Sequence, residues 1–425
     1  MPQRTQRSRV PRTTMRDRGI HVKSLIGQPE LMKELNRARA LDILLEERVI
    51  SRPQLAKRTG LSRATIAILI DELLRAGLVR ERGLGDSRGG RPPVMIEFNP
   101  HAALALGARL RDHRWGIVLT DLDAEVVRHL ETPLSDLSPA TAVASLQTGV
   151  AQITQGIDRS RLLPAIGLGT PGLVDMAAGV VKTAVDVGWV DVPIRAMAEE
   201  ALGMGVYVAN RSKVGALAEL WCGREQNVQN LLYISIGTGI AAGVVIQGQL
   251  YMGVNSSAGE LGHVTILPDG PLCACGNRGC LQALASGPAI ANRARAQLRG
   301  GPDSLLLKLA EGHPERIMAE TVFAAAEQGD EAARHVVDDT AIYLGIAIAN
   351  LVNLFNPALI VLGGPVGQNG QVLLEPLRAE VQRRAMAYPL SAARIVNSTL
   401  GPDAGAIGAA VLVLQHASEL LFARN

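Results

Sequence analysis

Three of the four cysteines fall within eight residues, as Cys273, Cys275 and Cys280, and His263 stands ten positions ahead of the first. One imidazole and three thiolates make a complete tetrahedral set for zinc with no coordination position left open, so the chemistry implied is structural, with one Zn2+ per chain. Thiolates one residue apart meet on a single ion only where the backbone turns sharply, and Gly276 and Gly279 permit such turns. The alternative is a set of buried free thiols, or a disulfide between two of them. No signal peptide points to the oxidising compartment a disulfide favours. Glu260 and His263 are three apart and share a face on a helical turn. A carboxylate and an imidazole together can hold vicinal hydroxyls. If His263 gives one ring nitrogen to zinc, the other is left to donate to a ligand.

Taken whole, Glu260-Leu261-Gly262-His263 followed by Cys273-Ala274-Cys275-Gly276-Asn277-Arg278-Gly279-Cys280 resembles the signature of the ROK family, which groups sugar kinases with sugar-responsive bacterial repressors. The resemblance implies a two-lobed, actin-like and ribonuclease-H-like α/β body with a sugar held between the lobes. It places the ligand near Asp186, Asn210, Arg211, Glu260, His263 and Gln282. Several of these positions depart from the kinase pattern. The kinases read Asn-Asp where this chain has Asn210-Arg211, and that aspartate is their general base. Arginine stays protonated and cannot serve as one. The kinases' Asp-x-Gly-Gly-Thr phosphate loop falls on Leu106-Gly107-Ala108-Arg109-Leu110-Arg111, which lacks the aspartate, the glycine pair and the threonine, so the backbone cradle for ATP phosphates is missing. Asp186 stands where the family has asparagine, and Gln282 where it often has a sugar-contacting glutamate. Arg211 suits an acidic or phosphorylated sugar. Alternatively Asp186 and Arg211 pair with each other and fill the pocket. The run Gly237-Thr238-Gly239 through Gly243 is too common a pattern to indicate phosphate binding by itself.

The elements that must position these residues begin after a basic leader. Residues 1–28 hold seven Arg and Lys against Asp17 alone and show no apolar periodicity, which predicts a disordered tail. From Pro29 a helical pattern runs through Leu35, Ala38, Leu41, Leu44 and Leu45. Ser51 caps a second helix with Pro53 in its first turn and Leu55 and Ala56 inward; Gly60 ends it. Ser62 caps a third, with Ile66, Leu69, Ile70, Leu73 and Leu74 as its buried stripe and Gly77 as its close. Two short helices on a tight turn form a helix-turn-helix. Strands at Leu78–Arg82 and Val94–Phe98, with a Gly-rich tip between them, add a wing. Ser62, Arg63, Ala64 and Thr65 lead the third helix toward base edges and phosphates, Ile68 lies on the same exposed face, and Arg88 and Arg91 sit on the wing tip. Residues 29–98 are therefore expected to form a winged helix-turn-helix, and residues 99–425 the sugar-binding and dimerising body. In the body, strands are predicted at Ala105–Arg111, Trp115–Leu119, Val206–Ala209 and Leu231–Ile236. A helix of about twenty residues is expected from Pro139, and Ile342, Ile346, Ile348, Leu351 and Val352 are expected to be buried. No repeat of solenoid period is visible.

The charge follows this division. Residues 1–100 hold 20 Lys and Arg against 11 Asp and Glu, while the remaining 325 hold 23 against 29. A basic first quarter on an acidic body directs only the first quarter toward a polyanion. No stretch approaches eighteen consecutive apolar residues, which argues against a membrane span, and no secretory pattern precedes the body, so the cytoplasm is expected. The reading is a ROK-type regulator, a repressor rather than an enzyme. It takes a near-palindromic double-stranded DNA operator as a homodimer or dimer of dimers, answers to a sugar, carries zinc and uses no ATP. The rival readings are a sugar kinase with a DNA-binding appendage, and a DNA-bound regulator that no longer binds sugar.

Overall fold

A computed structural model describes residues 29–85, 92–111, 113–225, 228–298 and 304–422. The chain divides into two compact units. The first comprises Met1–Gly169, Ile194–Val208 and Ala409–Asn425; the second comprises Thr170–Pro193 and Ala209–Gly408.

The first unit opens with α1 (Pro29–Glu47), β1 (Val49–Ser51), α2 (Arg52–Thr59), α3 (Arg63–Arg75), β2 (Val79–Leu84) and β3 (Val94–Phe98). Capping chemistry sets these boundaries. The Ser51 hydroxyl accepts from the Gln54 amide while the Gln54 side chain accepts from the Ser51 amide, a reciprocal box that fixes the start of α2. Gly60 closes α2 at φ 72°, a conformation a side chain would strain. Ser62 caps α3 by accepting from the Thr65 amide at 3.1 Å. Ile66, Leu69, Ile70 and Leu73 are buried beneath α3 as the periodicity predicts, whereas Leu74 is half-buried, as is Ala56 on α2. The three strands form a small antiparallel sheet in the order β1-β3-β2, and the wing strand runs two residues further than expected, to Leu84.

This head is fastened to the strands that follow. Arg48, at φ 65°, pairs with Asp123 and lies 5.3 Å above the Phe98 ring. The Leu122 amide donates to Pro100 O at 3.0 Å. The C-terminal helix Ala417–Phe422 packs against α1, with the Arg37 guanidinium 5.4 Å above the Phe422 ring. Behind the head, β4 (Leu104–Arg111), β5 (Arg114–Asp121) and β6 (Val126–Pro133) form an antiparallel meander. Next come α4 (Pro139–Ile153), β7 (Leu162–Thr170), β8 (Leu173–Asp175), β9 (Val180–Ala184), β10 (Trp189–Val192), α5 (Ile194–Leu202) and β11 (Gly205–Asn210). At 15 residues α4 is shorter than expected, because a Thr154-Gln155-Gly156 turn ends it before Ile157. The sheet order is β11-β7-β4-β5-β6, with β7 parallel to β4. Leu106–Arg111 is strand throughout, in register with β5 as far as the Arg111–Arg114 pair, so this stretch contains no loop.

The second unit repeats the plan. It contains α6 (Arg211–Cys222), β12 (Leu231–Ile236), β13 (Ile240–Ile246), β14 (Gln249–Leu250), α7 (Leu281–Ala285), β15 (Leu359–Gly363) and β16 (Arg394–Asn397). Its sheet runs β14-β13-β12-β15-β16, again an antiparallel meander followed by parallel strands. The two sheets share one topology, a duplication absent from the sequence as a period. The helix Glu331–Phe355 shares one hydrophobic core with the second sheet, its buried Val336, Leu344, Ile348 and Val352 belonging to the same cluster as Ile234, Ile236 and Leu362. Each such side chain removed from water stabilises the fold by roughly 1.5–3 kcal/mol. By length and hydropathy this helix could cross a membrane, but 61% of its apolar window is buried inside the unit, as befits a core helix. Ile342 and Ile346, expected inside, are only half-buried. The strands β8, β9 and β10 form a separate small antiparallel sheet.

Candidate functional site

A cavity of about 580 Å³ opens within the second unit. Its lining includes Asp186, Asn210, Arg211, Glu260, His263 and Gln282, so all six residues singled out for a ligand face one space. They arrive from different elements: Asp186 from the turn between β9 and β10, Asn210 and Arg211 from the β11–α6 junction, Glu260 and His263 from the segment after β14, and Gln282 from α7.

Asn210 is the N-cap of α6. Its side-chain oxygen accepts from the Ser212 amide at 2.8 Å and from the Ser212 hydroxyl at 2.7 Å, and its nitrogen donates to Gly172 O. Most of its hydrogen-bonding capacity is thus spent on shaping the wall. Arg211 donates from Nη2 to Asp186 Oδ2 at 2.8 Å, and the two side chains are 27% and 32% exposed. The pair foreseen as a plug therefore forms, yet it lines the cavity instead of filling it. Gln282 Oε1 accepts from the Ile240 amide at 3.3 Å, which turns the carboxamide oxygen toward β13 and leaves its nitrogen for other partners.

Glu260 precedes a short 3-10 turn, Leu261–His263, and the His263 amide donates to Glu260 O at 3.1 Å. Burial pushes the Glu260 carboxyl above the usual carboxylate range, against the opposing pull of Lys213 and His263. Two glycines explain how Glu260 is held so close to β13. A Cβ on Gly259, at φ 98°, would meet Ala242 O at 1.9 Å, and one on Gly262 would meet Ile240 O at 2.2 Å.

Beyond His263 the donor atoms of Cys273, Cys275 and Cys280 gather with the imidazole, all within 4.8 Å of one another. Cys275 Sγ lies 3.8 Å from Cys280 Sγ, and Cys273 Sγ lies 3.8 Å from His263 Nδ1. Two zinc–sulfur bonds of about 2.3 Å at the tetrahedral angle span nearly the same distance. All four cysteines of the chain are free thiols. Gly276 and Gly279 take φ 91° and 68°, the turns that let the thiols converge. A hydrogen bond from the Asn277 backbone holds the Cys275 thiol down at about 7, whereas burial among the neighbouring thiols pushes Cys280 up to about 12. Several thiolates packed together need a cation to be charged at once. The donor set, its spacing and its electrostatics fit a metal such as zinc. Cys222, read as a small buried residue, is half-buried and lies outside this group.

The second candidate site is the leading end of α3. Ser62, Arg63 and Ala64 are exposed there, Thr65 is half-buried, and Ile68 keeps 58% of its surface in solvent. The Ser62 hydroxyl also lies 2.8 Å from the Thr65 hydroxyl, so these two are partly engaged with each other. Arg88 and Arg91, expected on the wing tip, lie outside the described residues. Sequence reasoning missed Lys213, which follows Ser212 on α6, is 2% exposed, and donates from Nζ to Ala258 O at 3.0 Å. It falls in the first turn of a helix buried on most sides, an environment that the local sequence does not announce.

A scan against family models matches residues 110–416 to the ROK family and residues 34–80 to a winged helix-turn-helix DNA-binding domain. The chain belongs to the ROK family and carries a winged helix-turn-helix at its N-terminal end. More particularly, it is 34% identical over 391 residues to a putative xylose repressor of Caldicellulosiruptor sp. (strain Rt8B.4), an alignment covering 92% of this chain and 98% of the relative. A solved ROK family transcriptional regulator, described as a homologue of the Escherichia coli MLC protein, superposes with a TM-score of 0.78 at 30% identity. It covers 92% of this chain and 98% of its own. A glucokinase of Halalkalibacterium halodurans is 40% identical over 259 residues, which covers 61% of this chain and 78% of the enzyme.

Proposed function

We propose that this protein is a sugar-responsive transcriptional repressor. On this reading the winged helix-turn-helix of residues 29–98 binds a near-palindromic operator, two copies of the chain supply the two-fold symmetry, and a sugar or sugar derivative in the 580 Å³ cavity shifts operator affinity. Repressors among the relatives match both the head and the body, which supports the assignment. A cytoplasmic location follows from the DNA target. The observation that carries the proposal is Arg211, paired with Asp186 on the wall of a sugar-type pocket in a chain with a DNA-reading head.

In the pocket, Glu260 and the His263 nitrogen turned away from the thiols hold vicinal hydroxyls, Gln282 adds a neutral donor, and Asn210 frames the wall. The Arg211 guanidinium is already faced by a carboxylate, so the cavity presents balanced charge and favours a neutral polyhydroxy ligand over an acidic one. His263, Cys273, Cys275 and Cys280 hold one zinc, whose contribution is to fold the loop behind Glu260.

The glucokinase relative supports a second reading, a sugar kinase carrying a DNA-binding domain. Two features oppose it. Arg211 cannot accept the proton of a sugar hydroxyl, and Leu106–Arg111 is continuous strand where a phosphate loop is required. One experiment separates the readings: fluorescence anisotropy on operator DNA with a panel of sugars, run beside a phosphorylation assay with ATP. A sugar-dependent shift without sugar phosphate is expected. Sugar phosphate formed by the wild-type chain overturns the proposal.

A further inference from the structure

Lysine is among the residues least often fully buried, because removing an ammonium from water costs several kcal/mol unless it is paired and hydrogen-bonded. Lys213 is nevertheless 2% exposed, in the first turn of the helix that Asn210 caps. Burial pushes its ammonium below the usual lysine range, yet its Nζ donates to Ala258 O at 3.0 Å, two residues before Glu260. The surrounding backbone is tight. The Ser212 hydroxyl lies 3.2 Å from Ala242 O, the Ala242 amide donates to Gly259 O at 2.7 Å, and a Cβ on Gly243 would meet Ser212 O at 2.4 Å. Strand β13 thus grips residue 259 on one side, and Lys213 holds residue 258 from α6.

We infer that Lys213 is the positioning residue of this pocket: its buried Nζ ties the turn at Ala258 to the first turn of α6 and so places Glu260, two residues further along, where a ligand hydroxyl meets it. Lys213 does not line the cavity, so it acts through Glu260 and not by touching the ligand. The inference rests on the reading of this cavity as a sugar site only for its effect on affinity. The geometric claim stands without a ligand.

The test uses the zinc-loaded full-length chain with three single variants, Lys213→Met, Lys213→Gln and Glu260→Gln, and the double variant Lys213→Met with Glu260→Gln. Zinc content and melting temperature identify variants that fold. Lys213→Gln keeps a donor for Ala258 O and serves where Lys213→Met does not fold. Crystal structures without sugar should show residues 258–260 and the Glu260 carboxylate displaced in the Lys213 variants. An unmoved carboxylate overturns the inference, whatever the ligand. Calorimetry with the sugar that wild type binds should show affinity falling roughly 10- to 100-fold in Lys213→Met, the size expected when a hydrogen bond from a charged donor is lost. The same change should cost far less in the Glu260→Gln background. Equal losses in both backgrounds make Lys213 merely structural and overturn the inference. A displaced carboxylate in a protein whose wild type binds no sugar leaves the positioning role standing and sinks the sugar reading instead.

Discussion

Two corners of one pocket are built on opposite principles. The Asp186–Arg211 corner is held by a side-chain ion pair, and both partners remain about a third exposed. The Glu260–His263 corner is held by backbone: Gly259 and Gly262 sit where no side chain fits, Lys213 holds the preceding turn, and the Cys/His set closes the segment that follows. An exposed ion pair contributes little and can break and re-form, whereas a corner fixed by steric exclusion, and on the proposed reading by zinc, cannot adjust. The contrast assigns the two corners different jobs. On the proposed reading, one presents fixed groups to the hydroxyls of the ligand and the other yields when the ligand arrives. A ligand shifts an equilibrium only through unequal contacts in two states, so a responsive protein needs one part that stays and one that moves.

The largest expected effect lies at the fixed corner. Removing zinc with a chelator, or making Cys275→Ser, should melt the loop from His263 to Cys280, at a cost on the order of 10 kcal/mol of metal-binding free energy. Elemental analysis should give one zinc per chain, and calorimetric melting should show a large drop after chelation. Cys222→Ser, outside the metal set, should stay within about 0.5 kcal/mol. A chain that keeps its melting temperature after losing zinc breaks the comparison, because the fixed corner would then be held by something else.

Next in size is the response itself. The sugar should change operator affinity by a factor of about 5–150, the usual range of coupling, and DNA should change sugar affinity by the same factor. Glu260→Ala should abolish that change and leave operator binding without sugar intact, as read by anisotropy. A full response in Glu260→Ala places the ligand elsewhere. His263→Ala is a poorer probe, since it removes a metal ligand as well.

The head supplies the control. Arg63→Ala should weaken operator binding by roughly 1–3 kcal/mol and relax base preference, with sugar affinity in the absence of DNA unchanged. Binding should fall steeply with salt, as counterion release requires. An Arg63 variant with altered sugar affinity would mean that the head and the pocket are not separable.

How much of this could be read beforehand depended on the range of the interactions. The helix-turn-helix was legible almost to the residue, because Ser51, Ser62 and Gly60 act on neighbours within three or four positions. The Cys/His set and its glycine turns were legible because metal-ligand residue types recur at a specific spacing within one segment. Glu260 and His263 were read from their spacing and the other four pocket residues through a resemblance, whose departures at Asp186 and Arg211 also suggested the pair that forms across 25 positions; no local pattern announces such convergence. Lys213 escaped because local pattern does not distinguish a buried lysine from one on a solvated face. The shared topology of the two sheets escaped because strand order leaves no periodic trace in sequence.

The smallest effect belongs to the yielding corner, and it is the most discriminating. Asp186→Asn removes one charge from a partly exposed pair. The pair itself should contribute no more than about 1 kcal/mol, most of it screened by salt. Stability and zinc content should therefore stay at wild-type values. Affinity for a neutral sugar should change by less than about fivefold, and the change should shrink at high salt. Acidic sugars should gain, because the Arg211 guanidinium then lacks its facing carboxylate. Arg211→Asp reverses the sign of the corner and sets two carboxylates against each other, so acidic ligands should be refused, while turnover stays absent because Leu106–Arg111 still offers no phosphate loop. Calorimetry with matched neutral and acidic sugars at low and high salt reads all of these together. If Asp186→Asn instead costs as much as Glu260→Ala, at any salt, the ion pair is as firmly built in as the opposite corner and the two walls do not differ.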